Sequence, residues 1–138
     1  MQACIEVHKH MGPGLLEKVY ETCLMREFHL RGIKAQAQVA LPLTYKGIEL
    51  DKSYSIDILV EDEIILELKA TENMLPVFEA QLISYLRLSE KKVGYLINFN
   101  LPLMKHGIKR YVSNFCEISA PSAPLRQTLT NDDPSQQR

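Results

Sequence analysis

Asp57, Glu67 and Lys69 are the residues of this chain whose types and spacing could do chemistry. The aspartate closes Ser55-Ile56-Asp57, and Glu67-Leu68-Lys69 begins ten residues after it. Two carboxylates held close together repel unless a proton or a cation lies between them. With a lysine alongside, such a pair could hold a divalent metal ion and neutralise a phosphate, which is chemistry for cutting phosphodiester bonds. Everything then depends on whether the stretch between them brings the three side chains together.

That stretch, residues 58 to 66, reads as the turn-over of a β-hairpin. Alternate residues of a strand share a face. Tyr54, Ile56, Ile58 and Val60 therefore make one apolar face, matched on the next strand by Ile64, Leu66, Leu68 and Ala70. Ser53, Ser55, Asp57 and Leu59 lie opposite, as do Glu63, Ile65, Glu67 and Lys69. A loop of Glu61-Asp62-Glu63 keeps the faces matched and sets Asp57 across from Glu67 at the ~5 Å spacing of cross-strand neighbours. An ordinary hairpin with one solvated, charged face has the same alternation.

The elements around the hairpin follow from periodicity and punctuation. A first helix over Ala3 to Met11 stops at Gly12-Pro13-Gly14. A second runs from about Leu15 to Arg31, where Leu16, Val19, Tyr20, Cys23, Leu24 and Phe28 recur at helical spacing and Gly32 follows as a stop. Strand-like sequence covers Ala35 to Tyr45, a turn falls at Lys46-Gly47, and Ile48-Glu49-Leu50 is a further short strand. Pro76 suits a helix start, and Val77 to Leu88 is helical with Phe78, Leu82, Tyr85 and Leu86 on one side. Val93 to Phe99 is apolar enough to be a strand buried on both faces, and Ile108 to Val112 an edge strand. From Ser119 the composition turns polar. The expected organisation is one domain over residues 1–118 and a disordered polar tail over 119–138. A meander of strands followed by a helical crossover makes an α/β sandwich.

With 138 residues the chain can bury one core. Its formal net charge of −1 gives no global basic field to attract nucleic acid. No apolar run is long enough to span a bilayer, and there is no signal-peptide pattern. The three cysteines, Cys4, Cys23 and Cys116, lack C-x-x-C spacing. They read as reduced thiols of a cytoplasmic protein rather than a disulfide framework or a zinc site.

Two further patterns accompany the Asp57, Glu67, Lys69 trio. One is G-x-x-E-x-x-Y over Gly14 to Tyr20; the other is Q-x-x-x-Y, Gln81 to Tyr85, on the helix after the hairpin. Each pair, Glu17 with Tyr20 and Gln81 with Tyr85, shares a helical face. Taken singly, Glu17 fits better as an acid in the first turn of a helix. Gln81 fits as a surface residue, and Tyr85 as a core aromatic with its hydroxyl at the edge. Taken together, and with Val7-His8, Tyr20-Glu21, Val60-Glu61, Glu67-Leu68-Lys69-Ala70, Gly94 and Asn98-Phe99, the chain resembles the GxxExxY proteins of the PD-(D/E)xK nuclease superfamily from about Ile5 to Val112. Asp57 is preceded by Ile56 rather than by proline.

The resemblance implies an α-β-β-β-α-β restriction-endonuclease-like sandwich with a mixed central sheet. It implies a nuclease that hydrolyses phosphodiester bonds of nucleic acid, DNA before RNA, using Mg²⁺ with Mn²⁺ as a substitute. Asp57 and Glu67 would bind the metal with the Leu68 carbonyl, and Glu17 would complete the shell. Lys69 would orient the attacking water and offset phosphate charge, while Gln81 and Tyr85 would position the strand. A homodimer or a partner chain is compatible with this reading. The near-neutral charge and the short stretch ahead of the first helix motivate an alternative, a nucleic-acid-binding or assembly module that keeps the fold without cutting. His8 could face the site or lie on a helix surface, and the basic stretch Lys105, His106, Lys109, Arg110 could touch a phosphate backbone or simply be a solvated edge.

Overall fold

Gly12 divides the first two elements. Its amide bonds the His8 carbonyl at 2.8 Å and its φ of 71 lies in the left-handed region, so α1 (Gln2–Met11) ends there. Pro13 cannot continue the helix, and α2 (Glu17–Leu30) begins after Gly14. The Tyr20 hydroxyl ties this corner together by donating to the Gly12 carbonyl and accepting from the Leu15 amide at 3.1 Å. Its ring stacks on Phe99 with centroids 4.4 Å apart. A computed structural model describes residues 1–50, 54–114 and 127–129.

The remaining elements are β1 (Ala35–Leu41), β2 (Thr44–Tyr45), β3 (Ile48–Glu49), β4 (Tyr54–Val60), β5 (Ile64–Lys69), α3 (Pro76–Ser89), β6 (Val93–Asn98), a 3₁₀ turn (Met104–Gly107), β7 (Ile108–Ser113) and β8 (Gln127–Leu129). β2 and β3 form a small separate ladder turning at Lys46-Gly47. The other six make one mixed sheet in the order β1-β4-β5-β6-β7-β8. Among the described strands of this sheet only β5 and β6 run parallel, because α3 crosses over between them; the other pairs are antiparallel. This is the restriction-endonuclease-like α/β sandwich with a mixed central sheet.

Helices cover both faces. Against α1 and α2 pack Ile58, Val60, Leu66, Leu68 and Ile97; against α3 pack Leu59, Ile65, Leu96 and Tyr111. The alternation in the hairpin therefore does not separate core from solvent. Leu59 and Ile65, expected on the polar face, lie in a second apolar layer because the crossover helix lies over it. The contact is close: a Cβ on Gly94 would come within 2.9 Å of Leu82 Cδ1.

A second departure concerns parity. Ile58 belongs to the α1/α2 layer but Ile56 to the α3 layer, and across the ladder Ala35 and Val39 divide in the same way. Both strands change face at the Gln38–Asp57 position, where Gln38 has φ 53. β7 is also not the edge expected from the sequence, since β8 pairs outside it. β8 falls within the stretch expected to be a polar tail. The rest of that stretch, with Cys116, lies outside the described residues.

Candidate functional site

The β4–β5 hairpin turns through Glu61-Asp62-Glu63 with Val60 opposite Ile64, Leu59 opposite Ile65 and Ile58 opposite Leu66. One step further the same register faces Asp57 with Glu67. Here side chains replace the backbone ladder. Glu67 Oε2 accepts from the Asp57 amide at 3.2 Å, and Asp57 Oδ2 accepts from the Leu68 amide at 2.8 Å. Each carboxylate is thus held by the strand that carries the other. Glu67 is 4 % exposed, and Asp57 is half-buried.

Burial dominates their electrostatics. It raises Glu67 from its ordinary 4.5 to about 8, and the Asp57 charge adds to the effect. Asp57 is also raised, first by burial, against the lowering effect of the Leu68 amide and the Lys69 charge. The Lys69 ammonium sits 4.3 Å from the centroid of the Phe78 ring of α3, which fixes its side chain while it acts on both carboxylates. Its backbone is fixed too. The Lys69 carbonyl accepts from the Phe99 amide at 2.9 Å. Asn98, 2 % exposed, holds Thr71 by bonds to both its amide and its carbonyl.

α3 brings Tyr85 to the same place. The Tyr85 hydroxyl accepts from Gln81 Nε2 at 2.9 Å. Burial, then the charge of Glu67, push it up to about 12. The ring of Tyr54, half-exposed at the start of β4, lies 5.8 Å from that of Tyr85. Asp57, Glu67, Lys69, Gln81 and Tyr85 therefore meet in one region, with Leu68 lending its amide and burying its side chain under α1 and α2.

Glu17 is placed differently. It is exposed at the first turn of α2. One turn on, Glu21 is 5 % exposed, and its charge reaches Asp57. Its two oxygens accept from Lys18 Nζ and Gln38 Nε2, each at 3.2 Å. Gln38 is a residue that the sequence reasoning did not select, and Glu21 entered it only within the family pattern, with no role in the site. An acid inside the apolar stripe of Tyr20, Leu24 and Phe28 was the available signal for Glu21. For Gln38 there was none, since its role depends on a strand irregularity.

A family model described as PD-(D/E)XK nuclease superfamily matches residues 1–111. The chain belongs to the PD-(D/E)XK nuclease superfamily. No curated protein and no solved structure matches it. Membership supports a nuclease-like function and, with it, nucleic acid as the partner and a divalent metal as the usual cofactor of PD-(D/E)XK nucleases. The residues fit such an ion, because a cation would relieve the adjacent carboxylates of Glu67, raised first by burial and then by the Asp57 charge, and of Asp57, raised first by burial. Among the described residues no group of three or more His, Cys, Asp and Glu side chains is arranged to hold a metal. Water and backbone oxygen would supply much of the shell, as suits a hard divalent ion.

Other candidates in this PD-(D/E)XK chain have structural places. His8 is buried, bonds the Leu101 carbonyl at 2.8 Å and stacks on Phe99. Lys105, His106, Lys109 and Arg110 lie on β7 and the turn before it, two strands from β5 in the sheet. Cys4 and Cys23 are free thiols, and burial pushes Cys4 up to about 11. No helix among the described residues is long and apolar enough to cross a membrane.

Proposed function

We propose that the protein is a metal-dependent nuclease that hydrolyses phosphodiester bonds in DNA, with Mg²⁺ as the natural ion and Mn²⁺ as a substitute. The observation that carries this reading is the interlocked Asp57–Glu67 pair, each carboxylate bonded to the opposite strand's amide, with Lys69 acting on both. Asp57 and Glu67 would hold the ion, with the Leu68 carbonyl as a further ligand. Of the two α2 acids, Glu21, whose charge reaches Asp57, would support them through water, with the exposed Glu17 one turn further out. When bound, the ion supplies Lewis-acid charge at the phosphate and lowers the pKa of a coordinated water.

The chain's own groups do the rest. Lys69, steadied on Phe78, orients the attacking water and offsets charge that builds on the phosphate oxygens. The water oxygen forms the new bond to phosphorus, the bond to the 3′-oxygen breaks, and that oxygen takes up a proton. The products are a 5′-phosphate and a 3′-hydroxyl. Gln81 and Tyr85 position the strand beside the carboxylates, and the half-exposed Tyr54 extends that wall.

The test is cleavage of linear, circular and single-stranded DNA in Mg²⁺ or Mn²⁺, run beside Asp57→Ala. Metal-dependent cutting that disappears in the variant supports the reading. Folded wild-type protein that binds DNA in a salt-sensitive way without cutting, and binds equally as Asp57→Ala, would replace it with a non-catalytic binding module.

A further inference from the structure

Gln38 occupies an unusual backbone position for its residue type. It lies inside a strand, not at a turn, yet has φ 53. In that left-handed region a Cβ crowds the following carbonyl, and glycine and asparagine are the usual occupants. The ladder with β4 keeps one register on both sides, Ala37 opposite Ile58 and Val39 opposite Ile56, so Gln38 stands across from Asp57. The pair itself drops out of the ladder, and both strands change face there.

What the irregularity achieves is visible in the side chain. Gln38 Nε2 donates to Glu21 Oε2 at 3.2 Å, and the Gln38 side chain favours the ionised form of the Asp57 carboxyl across the ladder. Glu21 comes from α2 and Asp57 from the sheet, and their charges repel. A neutral amide donor is suited to span them, since it bonds a carboxylate without adding charge of its own. Regular strand geometry would send this side chain squarely to one face of the sheet. Strained backbone that persists at such a point is characteristic of functional sites.

Resting on the nuclease reading above, we infer that Gln38 is a positioning residue. Its carboxamide holds the Glu21 carboxylate beside Asp57 in the arrangement that receives the divalent cation, and its left-handed backbone aims it there. Glycine and asparagine accept this φ but cannot reach Glu21 in the same way, glycine having no amide and asparagine being one methylene shorter. Fold and site should therefore respond in opposite directions.

The experiment is a calorimetric Mn²⁺ titration of the metal-free full chain, with melting temperatures, for wild type, Gln38→Gly, Gln38→Asn and Asp57→Ala. Wild type should bind Mn²⁺, and Asp57→Ala should lose that site. Both Gln38 variants should melt at or above the wild-type temperature while binding Mn²⁺ about 10- to 100-fold more weakly, the usual cost of removing a group that orients a metal ligand. Their cleavage should recover as Mn²⁺ is raised. Wild-type Mn²⁺ affinity in both variants would overturn the inference and leave the nuclease reading standing. So would lowered melting temperatures in both, which would place Gln38 in the stability of the fold. A wild-type chain that binds no Mn²⁺ would overturn both.

Discussion

Burial and the neighbouring Asp57 carboxylate raise Glu67 from 4.5 to about 8, so the metal-free site carries a proton near neutral pH. Between pH 4.5 and about 8 the folded chain holds a proton that the unfolded chain has released. Stability then falls as pH rises, because the native state binds the more protons. We predict that the melting temperature of metal-free protein declines through this range, and that Glu67→Gln, which cannot ionise, flattens the slope; thermal melts over a pH series check it. Cation binding must displace the same proton, so Mn²⁺ affinity should climb with pH over the same window. Lys69 makes a separate prediction. Lys69→Ala should cut DNA at least about 100-fold more slowly with unchanged far-UV circular dichroism, since a group acting at the reacting phosphate contributes on that order. Equal rates in single-turnover assays would remove it from the chemistry.

Several residues of the elements serve to aim others. Tyr20, the last residue of the G-x-x-E-x-x-Y pattern, fastens the α1–α2 corner through Gly12 and Leu15 and stacks on Phe99, next to Asn98. Tyr20→Phe keeps the stack and loses both bonds, which should cost about 1 kcal/mol each in a denaturant titration. Asn98 holds Thr71 and so fixes how the chain leaves Lys69. Gly107 lets it do so, because a Cβ there would collide with the Asn98 carbonyl, a backbone atom that cannot swing aside. Gly107→Ala should therefore destabilise the fold by about 1–3 kcal/mol, the usual scale for overpacking, and should lower activity as well by disturbing Lys69. On α3, Tyr85→Phe removes the acceptor of Gln81. It should weaken DNA binding in a gel-shift assay without changing Mn²⁺ affinity.

For the molecule as a whole, a net charge of −1 means that attraction to nucleic acid must be local. Binding should depend on salt only modestly, with a log–log slope of roughly −2 to −4, as for a few phosphate contacts. A steeper slope would indicate a wide basic surface, with Lys105, Lys109 and Arg110 brought into contact. The sheet explains why local charge can suffice. Helices on both faces leave the carboxylates at the place where β4 and β5 part, shielded enough for Glu67 to be shifted strongly. In that setting each charge counts for more than on an open surface.

The order of elements was legible because it rests on local rules: Gly12-Pro13-Gly14 must break a helix, Pro76 suits a first turn, and an odd three-residue loop matches the faces of a hairpin. Those rules also put Asp57 opposite Glu67, and the family motifs supplied the superfamily. Other features needed tertiary contact. Leu59 and Ile65 count as buried only once α3 lies over them, so alternation along the hairpin alone pointed to a solvated face. The motif named Glu17, whereas the packing of α2 on the sheet turns Glu21 towards Asp57, one helical turn away. Gln38 gives no sign in composition or spacing, because its left-handed backbone exists only where two strands change face together. Sequence sets which groups are near along the chain; the packing of separate layers decides which of them share one desolvated space.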